Sequence, residues 1–454
     1  MDITQNVLNY IIEFLLRNEN KQLCKYVIYS DLPKHPQKNA VYIKPSTFFD
    51  KNIYMTENSL PNKSVSLYNE TPILFGDNIV IREKEYSLLG ADIIASTFFL
   101  ITRYEEYINL GNKDDHGRYI GKQSILYKLG VLDKPIVEDY GRILRNLLRN
   151  MGHTVKEPRY GFSHIYFTHD IDVPWSAPNN IIGYIKRIMW NFICVLKNDN
   201  RKKCIRDSLA ILGILKDPVD TFDWIIKMDK ILKNTYGKFY DTVYFLMTCS
   251  KGKHDQGYIV KENKVKQLMK KLIASGAIIG LHISYSAGVD PRNIKKEQEQ
   301  YEITMKQKAL CARHHYLMSR NPDDMKYLIE AGIKEDFTMC YADGGGYRLG
   351  TCRAVHWINP QSMEVTDLVL HPMLATEGKL YPKEYMGMST EEIISFFDRQ
   401  FKRICQENGE LTVLFHNTSF DDMSVYPYKE LYKSIIELLC EERFHETNNN
   451  MQCI

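Results

Sequence analysis

The chain has 454 residues, 44% of them hydrophobic and 25% charged, a globular balance that excludes wholesale disorder. Lys plus Arg total 59 against 56 Asp plus Glu, a net charge of +3, so polyanion binding is not its main business and no nucleic-acid partner is expected. Ten cysteines with no CxxC pair exclude a disulfide framework and predict free thiols in a reducing, cytoplasmic setting.

In chain order, the segment MDITQNVLNYIIEFLLRN comes first. Its apolar residues Val7, Leu8, Ile11, Ile12, Leu15 and Leu16 recur at helical spacing, which predicts an amphipathic helix and no signal peptide. No window reaches the 18 apolar residues of a membrane span. Extended runs (KYVIYSDL, NIVIRE) precede two helical segments at 88–110 and 138–152. The polar, Pro/Gly-punctuated stretch 151–164 marks a boundary. It separates an N-terminal α/β domain, residues 1–155, from a second domain, residues 160–454.

After the boundary, seven short apolar runs read as buried strands: HIYFTHDID, DTVYFLMT, AIIGLHIS, ARHHYL, EDFTMCY, DLVLHPM and LTVLFHN. Helical patterns lie between most of them, and several stop at a glycine (Gly237, Gly276, Gly332, Gly409). Alternation of this kind predicts an α/β fold with a parallel sheet and helices outside it. About seven strands suit a closed or nearly closed β/α barrel. The basic stretch near 186–206 reads as a solvated helix face, with an anionic glycan or membrane surface as the alternative.

Polar residues gather where the strand-like runs end. The first run ends in Thr168-His169-Asp170-Ile171-Asp172, the third in His282, the sixth in His371 and the last in His416-Asn417. The fourth carries Arg313-His314-His315-Tyr316. In β/α barrels, active-site groups project from the C-terminal strand ends. Asp170 and Asp172 are two residues apart, so both can face one side of the strand. Paired carboxylates in a cavity call for a cation or a proton between them. One Asp with one or two imidazoles is a normal zinc-type set of ligands. The second Asp can then act as a base on bound water, a distant His can protonate a leaving group, and an Arg can orient the base. The Gly-rich run GGGYRLGTC (344–352) lacks the order of a phosphate loop and reads as a substrate loop with Arg348 reaching in.

Taken in order, these motifs resemble the polysaccharide deacetylase family (NodB homology, carbohydrate esterase family 4) over roughly residues 160–420. The resemblance implies a NodB-like barrel and a divalent metal, zinc by its donor set. YFTHDIDVP is similar to the first motif, which would make Asp170 the general base and Asp172 a metal ligand. IGLHISYS is similar to the second, with His282 as ligand. RHHYL is similar to the third, placing Arg313 beside the base. Asp336 or Asp343 occupies the place of the fourth, and LFHN resembles the fifth, making His416 the general acid. Tyr316, Asp343, Arg348 and Asn417, near the same motifs, are assigned to substrate binding. The second motif departs from the family pattern, because Ser286 stands where a second His is expected. Either His315 or His314 completes the metal shell, or the domain binds saccharide without hydrolysing it. The implied reaction is hydrolysis of an N-acetyl or, less in keeping, an O-acetyl group on a saccharide, in surface-polysaccharide synthesis. DIIASTFFLITRYEEY and HGRYIGKQSILYKLGVLDKPIVEDY resemble the uncharacterised domain that precedes divergent bacterial deacetylase-like domains.

Overall fold

In the computed structural model, the described residues are 3–62, 65–176, 181–196, 201–249, 254, 255, 258 and 262–452. The predicted N-terminal helix forms at Gln5–Leu16, where the Thr4 hydroxyl accepts the Val7 amide. Its buried stripe is Val7, Ile11, Ile12, Leu15 and Leu16. Six short strands follow: β1 (Val27–Tyr29), β2 (Ala40–Ile43), β3 (Ser66–Tyr68), β4 (Thr71–Ile73), β5 (Gly76–Arg82) and β6 (Tyr86–Ala91). Four of them make a sheet in the order β1-β2-β6-β5, and β3 pairs with β4. The helix expected over 88–110 starts late, because Leu88–Ala91 belong to β6. Asp92 then accepts the Ala95 amide and caps a helix at Ile93–Ile101. The second predicted helix spans Ile136–Asn150.

All seven apolar runs past residue 160 form strands of one sheet. They are β7 (His164–Ile171), β8 (Tyr240–Met247), β9 (Ile278–Ile283), β10 (Cys311–His314), β11 (Glu335–Met339), β13 (Glu364–Pro372) and β15 (Glu410–Leu414). Two more strands, β12 (Val355–Asn359) and β14 (Ala375–Thr376), bring the sheet to nine. The order is β12-β13-β11-β10-β9-β8-β7-β15-β14. Every pairing is parallel except β12 with β13. One stretch of chain serves both ends: β13 pairs with β11, and two residues later β14 pairs with β15. The Leu374 amide, between them, donates to the Thr412 carbonyl at 2.9 Å. The sheet therefore curls back on itself into a nine-stranded half-barrel within a mixed α/β protein.

The stretch 151–163 carries no helix or strand, but the two sides of it are interlocked. Buried apolar residues from both belong to one continuous cluster. Two buried carboxylates also bridge them. Glu138 pairs with Arg17 at 3.4 Å and Arg353 at 2.8 Å, and Glu106 pairs with Arg103 at 2.5 Å and Arg348 at 2.8 Å. No disulfide joins the described cysteines, and no helix among the described residues is long and apolar enough to cross a membrane.

Candidate metal centre and its acid and base

Parallel register puts the ends of β7, β8, β9, β10 and β15 on one rim. Arg313 on β10 lies opposite His282 on β9, which lies opposite Met247 on β8. Over that rim, Asp172, His282 and His315 each offer one ligand atom, all within 4.8 Å of one another. His282 Nε2 is 3.1 Å from Asp172 Oδ1, and His315 Nε2 is 3.6 Å from Asp172 Oδ2.

The hydrogen bonds of the two imidazoles decide what this cluster suits. His282 Nδ1 lies 3.0 Å from the Arg313 carbonyl, and His315 Nδ1 lies 3.1 Å from the Asp255 carboxylate. Both partners can only accept, so each Nδ1 carries the hydrogen. The Nε2 lone pairs of both rings then point at Asp172. His282 Nε2 and Asp172 Oδ1 are buried and have no hydrogen-bond partner among the described residues. Facing lone pairs around a carboxylate need a cation or a proton between them. A carboxylate and two imidazoles, each ring anchored through its other nitrogen, fit a zinc-type ion. Burial alone would raise the Asp172 carboxyl, but the His282, His315 and His416 imidazoles outweigh it and hold it well below the usual range. Burial opposes protonation of His315, yet Asp172 and Asp255 raise its pKa to about 9. A proton and a cation thus compete for the same Nε2.

Asp170, one step back along β7, is buried. Arg313 Nη1 donates to its Oδ1 at 3.0 Å, while Arg313 Nε holds the Phe337 carbonyl at 2.9 Å. The other oxygen, Oδ2, faces the cluster, 3.7 Å from His282 Nε2 and 3.9 Å from His416 Nε2. His416 lies just past β15, with Nε2 3.5 Å from Asp172 Oδ2. Its Nδ1 hydrogen goes to Glu377 Oε1 at 2.7 Å, and the same oxygen accepts the His416 amide at 2.8 Å and the Ser419 hydroxyl at 2.7 Å. Burial opposes the charge on His416, but Glu377 and then the two aspartates raise its pKa to about 10. Glu377, against the pull of burial, is lowered to about 2 by His416.

Asp170, Asp172, His282, His315, Arg313 and His416 therefore meet at one rim. Other sequence-predicted residues lie elsewhere. His314 turns the other way, its Nδ1 3.4 Å from the Thr338 hydroxyl and 3.9 Å from Asp336, and burial lowers its pKa to about 3. Asp336 is fully buried and accepts from Thr338. His371 pairs with Glu410 at 2.8 Å and stacks on Phe337 in the sheet interior, away from the rim. Arg348 does not reach into a substrate cleft, because Glu106 holds it in a buried ion pair that joins the two parts of the chain. Asn417 is buried and ties down the carbonyls of Val173 and Val219 at 3.0 and 2.9 Å. Asp343 accepts the amides of Gly121 and Lys122, so it fixes a loop from the N-terminal part. Tyr316 stays at the mouth, its ring exposed and 4.7 Å from that of His315. Its φ of 57° is left-handed, and its carbonyl accepts from Arg118 Nη1 at 2.6 Å. Two acids were missed in the sequence. Asp255 and Glu377 stand in polar loops with no apolar run or motif to flag them.

Residues 2–153 match a family of unknown function (DUF7033), and the match ends before β7. No curated protein matches the chain. Among solved structures, the chain is similar to a protein from Mycobacterium smegmatis described as a "putative polysaccharide deacetylase". That match has a TM-score of 0.38 at 11% identity, covering 63% of this chain and 86% of the other.

Proposed function

We propose that the chain is a metal-dependent deacetylase that hydrolyses an N-acetyl group on a saccharide, in surface-polysaccharide synthesis. The observation that carries the reading is the pair of imidazoles, His282 and His315, anchored through Nδ1 with both Nε2 atoms aimed at Asp172. His315 occupies the place left by Ser286, which weighs against a saccharide-binding protein without chemistry. Asp172, His282 and His315 would hold the ion, and a zinc-type ion would supply Lewis-acid polarisation of the acetyl carbonyl and acidify bound water.

The remaining roles belong to side chains. Asp170 has one oxygen fixed by Arg313 and one free towards the cluster, so it is placed to take the proton from the attacking water. His416 is charged and aimed by Glu377, so it is placed to give a proton from Nε2 to the departing amine. The C–N bond breaks, the water oxygen joins the acyl carbon, and acetate and an amino sugar result.

The test is turnover on an acetylated amino sugar and on an activated acetyl ester, with metal content measured for each variant. Asp170→Asn should abolish turnover and keep the metal; Asp172→Asn should lose both, since an amide oxygen is a far weaker ligand. His416→Ala should cost about 10²–10⁴-fold on the amide and much less on the ester, whose leaving group needs little protonation. Retained metal in Asp172→Asn with lost metal in Asp170→Asn would reverse the two aspartates. Equal losses on both substrates for His416→Ala would remove its role as acid. A wild-type protein that takes up no metal after supplementation would overturn the reading.

A further inference from the structure

After β7 the chain leaves the sheet as two helices, Ile181–Leu196 and Arg201–Ile211; residues 197–200 lie outside the described residues. Asn191 Nδ2 donates to the Ser208 hydroxyl at 3.1 Å and joins the two helices. Asn191 is buried, but Ile185, Met189, Phe192, Ile193 and Leu196 are exposed, by 40% to 70%. Their spacing (i, i+4, i+7, i+8, i+11) is one helical stripe, on the side away from Asn191. Trp190 is 61% exposed at its edge. Ile205, Leu212, Ile214 and Leu215 extend the exposed apolar surface through the second helix and past its end. Single exposed apolar residues are ordinary, but a contiguous patch of this kind marks an interaction surface.

The charge of the same segment selects the partner. Residues 181–216 hold eight Lys or Arg against two Asp, an excess larger than that of the whole chain. Asp207, one of the two, is buried and paired with Arg206 at 3.0 Å. A second copy docked face to face would bring two cationic segments together. A surface that is apolar inside and anionic at its edge satisfies both features. We propose that residues 181–216 form a membrane-surface anchor that lies in the headgroup region of an anionic lipid bilayer. A helix of 16 residues is about 24 Å long, short of the roughly 30 Å needed to span, so it lies in the plane of the interface. Trp and Lys at the rim of the stripe suit that depth.

The anchor is clamped at its base. The Ser176 hydroxyl donates to Asp217 at 2.9 Å, and Arg206 pairs with Asp421. Asp421 follows the His416 loop, so docking holds the rim of the candidate site beside the bilayer. The anchor does not depend on the hydrolase reading.

Sedimentation of the full chain tests it, with vesicles of phosphatidylcholine and phosphatidylglycerol (about 7:3) against phosphatidylcholine alone. The protein should sediment with the anionic vesicles and stay in solution with the neutral ones. Lys202→Gln with Lys203→Gln should lower partitioning about 30-fold, at about fivefold for each basic residue. Phe192→Glu with Leu196→Glu should abolish it. The proposal is overturned if the wild type ignores anionic vesicles, or if the folded Glu variant sediments unchanged. Should the Glu variant misfold, quenching by brominated lipid decides: Trp190→Phe should lose a quenched component, and equal quenching overturns the proposal. A wild-type dimer that the Glu substitutions dissociate, without vesicle binding, would assign the stripe to a second copy and also overturn it.

Discussion

Glu106→Gln is the sharpest test of how the two parts of the chain are joined. Glu106 is buried, and both of its oxygens are used, by Arg103 and by Arg348. Burial would raise its pKa, but the two guanidiniums outweigh burial and lower it from the usual 4.5 to about 2. At 1.36 kcal/mol per pKa unit, ionised Glu106 contributes about 3 kcal/mol. For a depressed carboxyl, that contribution is complete above the unfolded value and is lost as pH falls through the folded one. At neutral pH it is therefore fully present. The substitution also strands two buried guanidiniums, and breaking a buried pair costs about 3–5 kcal/mol. The expected loss is about 3–5 kcal/mol, a large part of the roughly 5–15 kcal/mol that holds a typical protein folded. Urea denaturation at pH 7 reads it, and at pH 2 the difference from wild type should shrink. A loss below about 1 kcal/mol at pH 7 would mean that water or movement relieves both arginines, so that this ion pair does not bind the parts together. Arg348→Met should likewise cost stability while KM for the saccharide stays within about twofold, a change worth under 0.5 kcal/mol. A raised KM with intact stability would return Arg348 to substrate binding.

Three further outcomes follow from the same geometry. His315→Ala should lower metal affinity sharply, whereas His314→Ala should keep the metal and lose stability instead, by about 1–3 kcal/mol for a buried group removed from its hydrogen bond; metal titration and thermal melts separate the two. Asp255→Asn should weaken metal binding about 10–100-fold, the usual effect of losing the acceptor behind a ligating His, and unchanged affinity in a chelator competition would refute the role. Glu297 is buried, and burial raises its pKa to about 7 even though it accepts the Ser284 amide and hydroxyl. A raised carboxyl costs stability as pH climbs from its unfolded value through the folded one, so Glu297→Gln should stabilise the chain by up to about 3 kcal/mol at pH 9 and hardly at all at pH 4, read by melting temperature.

The parallel strands were legible because each is an apolar run buried on both faces, which leaves a continuous signal in the sequence. The edges were not. β14 is two residues long, and β12 pairs antiparallel at one end of the sheet, so neither carries a run long enough to read. The start of the helix after β6 was misplaced for a related reason. Leu88 to Ile101 is apolar throughout, and only Asp92 divides strand from helix. Arg348 looked like a mobile arm because a Gly-rich segment holds it. Its partner Glu106 lies 242 residues away, and no local pattern reports a pairing at that distance.

At the rim, the residues read from strand ends came together because parallel register aligns strand ends whatever the loops between them do. The choice between His314 and His315 was also open to argument, through alternation along an extended chain. Arg313 had to face Asp170, so a residue two further on faces the same side and a residue one further on does not. The structure follows that rule, with His315 beside Asp172 and His314 against Thr338. Ser286 can then be tolerated, because the position still does work through its backbone. The amides of Tyr285 and Ser286 donate to Asp255 at 2.6 and 3.1 Å, and Asp255 in turn accepts from His315 Nδ1. The second motif thus keeps its hold on the cluster, one residue removed. It supplies the acceptor that aims an imidazole from the neighbouring strand, where the family pattern would place an imidazole of its own.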